Sequence, residues 1–193
     1  AEPWKIKSTM DMPEINPSIA VEGEEYQPYA RDKKTLARKL ALPGTKGLVH
    51  RLGGLEKEDI TGNVSYDPEN HEKMVAIRAE KINRIADIIP NQEIFGKEEE
   101  GDLLVVGWGG THGSLYSAVD NLLKTGDKIA LCQFNYINPL PKNTAEIFSK
   151  YKNIIVCELN SGQFANYLRM NFQGTIFHQY NKIQGFPFTT SEL

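Results

Sequence analysis

The sequence predicts an α/β fold, in which a mainly parallel, open sheet of about four or five strands is flanked by helices and preceded by an extended arm. Short, partly β-branched apolar runs such as Leu103-Leu104-Val105-Val106 are typical of buried parallel strands. Helical patterns separate these runs, and such alternation favours right-handed crossovers between parallel strands. Residues 1–63 of the 193 differ, because they hold five of the ten prolines and little periodic pattern.

The arm is predicted over residues 1–66. Proline fixes φ and removes a backbone donor, so long helices or strands are not expected there. Pro43-Gly44 and Gly53-Gly54 are turn signals, and the pattern between them and the start allows one short helix around residues 33–40. The chain begins at Ala1 and enters a proline-rich stretch. We therefore expect it to be part of a longer polypeptide, with the arm packed against another part of it.

The α/β domain is predicted over residues 67–193 and begins with a helix over 68–89. Asp67-Pro68-Glu69 supplies an N-cap, a first-turn proline and an acid near the positive end of the helix dipole. Apolar residues follow at helical spacing, and Pro90 ends the helix. Strands are predicted near residues 103–108, 128–134, 153–159 and 174–180. Further helices are predicted near residues 113–124, 143–151 and 162–171.

Composition and charge argue against several classes of protein. The net charge of −3 is unlike the basic footprint of a nucleic-acid-binding protein. No apolar run approaches the roughly 20 residues that cross a bilayer. Cys132 and Cys157 lie in separate strand-like runs, so we expect buried, reduced thiols and a cytoplasmic protein. Two cysteines are fewer than the roughly four thiolates of an iron–sulfur cluster, and the sequence predicts no metal site in this chain.

A glycine-rich turn, Gly107-Trp108-Gly109-Gly110-Thr111-His112-Gly113, follows the first strand of the domain. Its first two alternate glycines begin a dinucleotide fingerprint, but His112 stands where the third glycine should be. The second strand also ends at Gln133-Phe134-Asn135, without the acid that would bind a ribose. A tight strand-to-helix turn is therefore favoured over NAD binding. Contact of an anion or a partner with the helix N-terminus is left open.

Polar residues at the predicted strand ends are candidates for an interface or a ligand-binding edge. Glu158 ends a strand, and capping residues follow it before the next helix. A catalytic carboxylate needs a second carboxylate, a base or a metal nearby, and the spacing identifies none. We predict no catalytic, cofactor-binding or metal-binding residue. The edge candidates are Gly109, Thr111, His112, Asn135, Glu158, Asn160 and Gln163.

Three stretches resemble the transketolase C-terminal-like domain: the glycine-rich turn, Asn138-Pro139-Leu140-Pro141, and Glu158-Leu159-Asn160-Ser161-Gly162-Gln163. Flanking stretches extend the resemblance over about residues 40–190, from Leu42-Pro43-Gly44-Thr45 to Gln184-Gly185-Phe186-Pro187-Phe188. More narrowly, the chain resembles the α subunit of 2-oxoacid:ferredoxin oxidoreductases, particularly the 2-oxoglutarate type. One position departs from the family pattern. Members often carry Thr-Gly-x-Glu-His where this chain has Gly53-Gly54-Leu55-Glu56-Lys57, so no role of that histidine carries over.

The resemblance implies an enzyme that decarboxylates a 2-oxoacid oxidatively, with coenzyme A, and passes electrons to ferredoxin. The complete enzyme would use thiamine diphosphate, magnesium and an iron–sulfur cluster. The thiamine would lie between an upstream pyrimidine-binding domain and the β subunit. This chain would be the C-terminal, non-catalytic domain, bracing the pyrimidine-binding domain and forming subunit interfaces. The alternative is a free-standing small-molecule or nucleotide-binding module, with its ligand held near Gly109, His112, Asn135 and Asn160.

Overall fold

The computed structural model describes residues 17–193. It comprises two compact units, the first described over residues 17–81 and the second formed by Ile82–Leu193. No helix in the described part of the chain is long and apolar enough to cross a membrane. The arm–domain boundary placed at residue 66 from the sequence stays a prediction.

The first unit is built mainly from turns and isolated β-bridges, among them Tyr29 with Ile60 and Arg31 with Arg38. At residues 33–40 the structure has a turn over 33–35 followed by β-bridge residues Arg38 and Leu40, and not the short helix that the pattern allowed. The Asp32 carboxylate accepts hydrogen bonds from the backbone N–H of Thr35 at 2.7 Å and from that of Lys34 at 3.0 Å. Side chains of this type compete with helix formation by offering the backbone a local partner.

Helix α1 spans Pro68–Asn83 and begins as the sequence predicts. The Asp67 carboxylate accepts a hydrogen bond from the Glu69 backbone N–H at 3.1 Å, which is the expected N-cap contact. The α-helix ends six residues before the predicted residue 89. A 3₁₀ turn, Arg84–Asp87, follows it, as is common where the last turn of a helix tightens.

The second unit contains a five-stranded sheet in the order β1-β3-β2-β4-β5. The strands are β1 (Phe95–Gly96), β2 (Gly101–Trp108), β3 (Ile129–Phe134), β4 (Tyr151–Glu158) and β5 (Phe177–Asn181). Strands β2 to β5 pair in parallel, whereas β1 pairs antiparallel with β3. Strand β1 was not predicted, because two residues are too short to show a strand period.

Helices cover both faces of the sheet and confirm the predicted α/β class. They are α2 (His112–Lys124), α3 (Thr144–Ser149) and α4 (Gln163–Asn171). On one face, Val105 of β2 packs in a cluster with Leu115 and Val119 of α2. On the other, Leu104 and Val106 join a cluster with residues of α3 and α4. Because successive strand residues point to opposite faces, one continuous apolar strand serves both clusters.

Candidate functional site

The parallel strands β2, β3 and β4 end together at one edge of the sheet, at Trp108, Phe134 and Glu158. Open α/β sheets carry their ligands outside this carboxyl edge, at the point where the strand order reverses. Here β3 lies on one side of β2 and β4 on the other, so the reversal falls between β2 and β4. Glu158 and Trp108 stand at that position.

The Glu158 carboxylate is fully buried and accepts four hydrogen bonds. Two come from the backbone N–H groups of Phe164, at 2.9 Å, and Ala165, at 3.0 Å. These are the second and third residues of α4, whose N–H groups have no partner within the helix. The Trp108 indole at 3.2 Å and the Asn160 amide at 3.0 Å donate the others. The carboxylate thus joins β2 and β4 to the N-terminus of α4, where a negative charge is stabilising.

Asn160 builds the turn between β4 and α4. Its Oδ1 accepts hydrogen bonds from the backbone N–H of Gly162 at 2.8 Å and of Gln163 at 3.0 Å. Gly162 has φ of +91°, a conformation that favours glycine. Gln163 is exposed and begins α4. Of the two predicted edge residues Asn160 and Gln163, Asn160 therefore has a structural role, because its side chain holds the turn before α4.

The glycine-rich turn is explained by a close approach of α2 to β2. A Cβ on Gly107 would lie 2.3 Å from Leu115 Cδ1, nearer than atoms can pack. Gly109 has φ of +57°, and a 3₁₀ turn over Gly109–Thr111 leads into α2. Thr111 is buried, and its hydroxyl donates to the Trp108 carbonyl at 2.9 Å. The packing of Leu115 against Gly107 and the positive φ of Gly109 therefore explain why glycine stands at these two positions.

An open groove of about 530 Å³ lies at the β1–β3 side of the same edge. Three of the predicted edge residues line it, namely Gly109, His112 and Asn135, and the other four do not. Its further polar lining includes Gln92 and Gln133. The Gln133 amide donates to the Gly109 carbonyl at 3.2 Å, while its Oε1 is buried with no hydrogen-bond partner in the described part of the chain.

The sequence did not single out Gln92 or Gln133 as groove residues. Gln92 lies in a segment without periodic pattern, and its place depends on contacts across the fold. Its backbone N–H donates to Asn143 Oδ1 at 2.8 Å, and its side chain donates to the Gln133 carbonyl at 3.0 Å. These partners lie 51 and 41 residues away in sequence, so no local signal reports them.

The groove has few titratable groups in its lining. Its titratable lining residues are Glu93, His112 and Tyr136, and no lysine or arginine lines it in the described structure. Within residues 17–193, no three histidine, cysteine, aspartate or glutamate side chains gather as a metal site requires. Both cysteines are buried and unpaired. Burial raises the pKa of Cys157 to about 12 and that of Cys132 further, so neither offers a thiolate.

Comparison with known proteins gives consistent relatives. The chain is 38% identical over its whole length to the 2-oxoglutarate oxidoreductase subunit KorA of Mycobacterium tuberculosis, covering 29% of that protein. It is 27% identical over 75% of its length to the 2-oxoacid:ferredoxin oxidoreductase subunit alpha of Saccharolobus solfataricus, covering 23% of it. No family model matches the chain.

A solved structure shares the fold. It is the 2-oxoglutarate:ferredoxin oxidoreductase from Magnetococcus marinus with 2-oxoglutarate, coenzyme A and succinyl-CoA bound. The TM-score is 0.86 at 28% identity, covering 96% of this chain and 32% of that one. The chain thus spans less than a third of the length of the relatives it matches.

The fold and these relatives define the chain as an α/β region of the kind found in 2-oxoacid:ferredoxin oxidoreductase subunits, and the resemblance predicted from the sequence is confirmed. Within that class, the two matches that cover at least 96% of the chain are both named for 2-oxoglutarate. The chain therefore matches a partial region of subunits that are named for 2-oxoglutarate.

Proposed function

We propose that this chain is the C-terminal, non-catalytic part of the α subunit of a 2-oxoglutarate:ferredoxin oxidoreductase. The observation that carries the proposal is the 38% identity to a 2-oxoglutarate oxidoreductase subunit over every residue of the chain. The geometry of the sheet edge supports the non-catalytic role. Its one buried acid, Glu158, already accepts four hydrogen bonds from the protein and is not available as a general base.

The complete enzyme would decarboxylate 2-oxoglutarate oxidatively, transfer the acyl group to coenzyme A and pass electrons to ferredoxin. Thiamine diphosphate, magnesium and an iron–sulfur cluster would serve that chemistry. The residues described here do not fit these groups, because both thiols are protonated by burial and no metal-binding cluster forms among residues 17–193. We therefore assign no step of the reaction to this chain. Buried, reduced thiols suit a reducing cytoplasm.

The role of the chain would be to brace the upstream pyrimidine-binding domain and to contribute to the interface with the β subunit. Exposed apolar side chains of the first unit support an interface. Val49 is 94% exposed, Tyr66 is 85% exposed and Leu52 is 74% exposed. Several large apolar side chains left in water within one unit are typical of a surface that a partner covers.

An activity assay on the native assembly tests this proposal. An antibody against the chain would capture the assembly from cells that carry its gene, and ferredoxin reduction would be followed with 2-oxoglutarate and coenzyme A. We expect reduction that needs both compounds, and slower reduction with pyruvate. The purified 193-residue chain should show no reduction and no thiamine diphosphate binding by calorimetry. Tight thiamine diphosphate binding by the purified chain, or a captured assembly without activity, would contradict the proposal.

A free-standing binding module is the second candidate, and the groove beside Gly109, His112 and Asn135 is the observation that favours it. Its lining suits a neutral polar molecule better than a nucleotide, because a phosphate would find no lysine or arginine there. A melting-temperature shift with nucleosides, but not with nucleotides or acyl-coenzyme A, would support this candidate. No shift with any of them would exclude it.

A further inference from the structure

Lys57 is a buried cation in the first unit with no carboxylate partner among residues 17–193. Its side chain is 2% exposed, and its Nζ donates to the carbonyls of Gly53 and Leu55, each at 2.9 Å. The neighbouring acids have other partners. Glu56 pairs with His71 and Arg78, while Asp59 pairs with Arg31 and Lys73. Buried charges in proteins are nearly always paired, so this ammonium group lacks its counter-ion.

Lys57 lines a cavity of about 320 Å³ whose walls carry several basic side chains. Five basic residues line this cavity against a single acid, Glu56, and they are Arg31, Arg38, Lys57, Arg78 and Lys81. Arg31 and Arg78 are neutralised by Asp59 and Glu56. The other three have no carboxylate partner in the described chain.

Arg38 is held in place by an aromatic ring and not by an acid. Its guanidinium carbon lies 4.2 Å from the centre of the Tyr29 ring, and one of its nitrogens makes a long contact of 3.5 Å to the Pro28 carbonyl. A guanidinium stacked on an aromatic ring keeps most of its planar N–H donors available. Those donors match the geometry of phosphate oxygens.

We propose that this cavity binds a phosphate group, with Lys57 on its buried side and Arg38 and Lys81 on its exposed side. Arg38, Lys57 and Lys81 have no carboxylate partner in the described chain, and a phosphate dianion would supply the negative charge that they lack. Lys57 still has a third ammonium donor, since its two backbone contacts use only two. Apolar side chains such as Met74 and Ile77 also line the cavity and lower the local dielectric, which strengthens attraction between the anion and the cations. The site lies within the first unit and is independent of the proposed enzyme activity.

Calorimetric titration of the 193-residue chain with inorganic phosphate tests the site, at an ionic strength held constant with chloride. We expect saturable binding of one phosphate per chain. Adenosine 3′-phosphate, titrated in parallel, distinguishes the source of the group. Tighter binding of this ester indicates a phosphorylated metabolite, and equal or weaker binding indicates free phosphate. A response no greater than that to added chloride overturns the proposal.

Substitutions at the exposed side of the cavity give the second measurement. Arg38 and Lys81 are exposed, so Arg38→Gln and Lys81→Gln should leave the fold intact, as far-UV circular dichroism would show. Each should weaken phosphate binding about tenfold, the usual effect of losing one charge-assisted hydrogen bond. Lys46→Gln is the matched control, because Lys46 is an exposed lysine of the same unit outside the cavity. Equal phosphate affinity in the control and both test variants would overturn the proposal.

Discussion

Replacing Glu158 with glutamine measures how strongly this acid holds β4, β2 and α4 together. The change keeps the size of the side chain but removes its charge and turns one oxygen into an N–H₂ donor. In the better orientation, the new amide nitrogen replaces Oε2 and faces the Ala165 N–H, which loses its acceptor. Oε1 would keep its three donors, from Trp108, Asn160 and Phe164, as weaker neutral hydrogen bonds.

The expected loss of stability follows from these contacts. One buried N–H left without a partner costs about 1–3 kcal/mol, and three weakened bonds add roughly 1–2 kcal/mol together. We therefore expect Glu158→Gln to lower the free energy of unfolding by about 2–5 kcal/mol. Glu158→Ala removes all four acceptors and should cost about 4–5 kcal/mol, since the buried site also loses packed volume.

Urea unfolding and amide hydrogen exchange measure this effect. The substitution should lower the urea midpoint and reduce protection at the amides of Phe164 and Ala165. Glu146→Gln is the matched control, because it also removes one negative charge but from an exposed surface pair with Lys150. The control should change stability by less than about 0.5 kcal/mol. Unchanged or increased stability in Glu158→Gln would refute the structural role, and an increase would instead indicate an acid strained for function.

Three further outcomes are expected. Gly107→Ala should destabilise the chain by about 1–3 kcal/mol, because the new methyl group would press on Leu115. Gly113→Ala, in the same turn-and-helix segment, is the control and should be neutral or stabilising by about 0.5 kcal/mol, since nothing lies within 4 Å of its added Cβ. Urea unfolding measures the stability of both variants. Equal stability changes in the two variants would contradict the packing argument. Both buried thiols should resist iodoacetamide at pH 8 until denaturant is added, as mass spectrometry would show, whereas rapid labelling without denaturant would disprove their burial. Hydrogen bonds from Arg78 and then His71 hold the pKa of Glu56 at about 2, below its ordinary value of 4.5. The stabilisation from Glu56 should therefore be complete above pH 4.5 and disappear as the pH falls toward 2, so the unfolding free energies of the wild type and Glu56→Gln should converge there.

The sequence alone predicted the secondary-structure elements that have a local sequence pattern. Strands β2 to β5 and helices α2 to α4 appear within a few residues of their predicted positions, because apolar period and capping residues report them directly. Strand β1 was missed for lack of such a signal. The end of α1 was placed too late, because a 3₁₀ turn over Arg84–Asp87 continues the helical pattern toward Pro90. The burial of Lys57 was equally invisible, because it depends on a turn that places the Gly53 and Leu55 carbonyls around the ammonium group. A lysine beside a glutamate in a glycine-rich loop otherwise indicates a solvated surface.

The strand order explains why an acid at a strand end is structural in this domain. The reversal between β2 and β4 is where an open α/β sheet would admit a ligand. That position is occupied by the protein itself, since the Trp108 indole of β2 bonds to Glu158 of β4 and its ring lies 6.2 Å from that of Phe164. A groove of about 530 Å³ at this edge lies on the other side, beside β1 and β3. A ligand or partner that uses this edge should therefore contact Gln133 and His112, and it should leave Glu158 untouched.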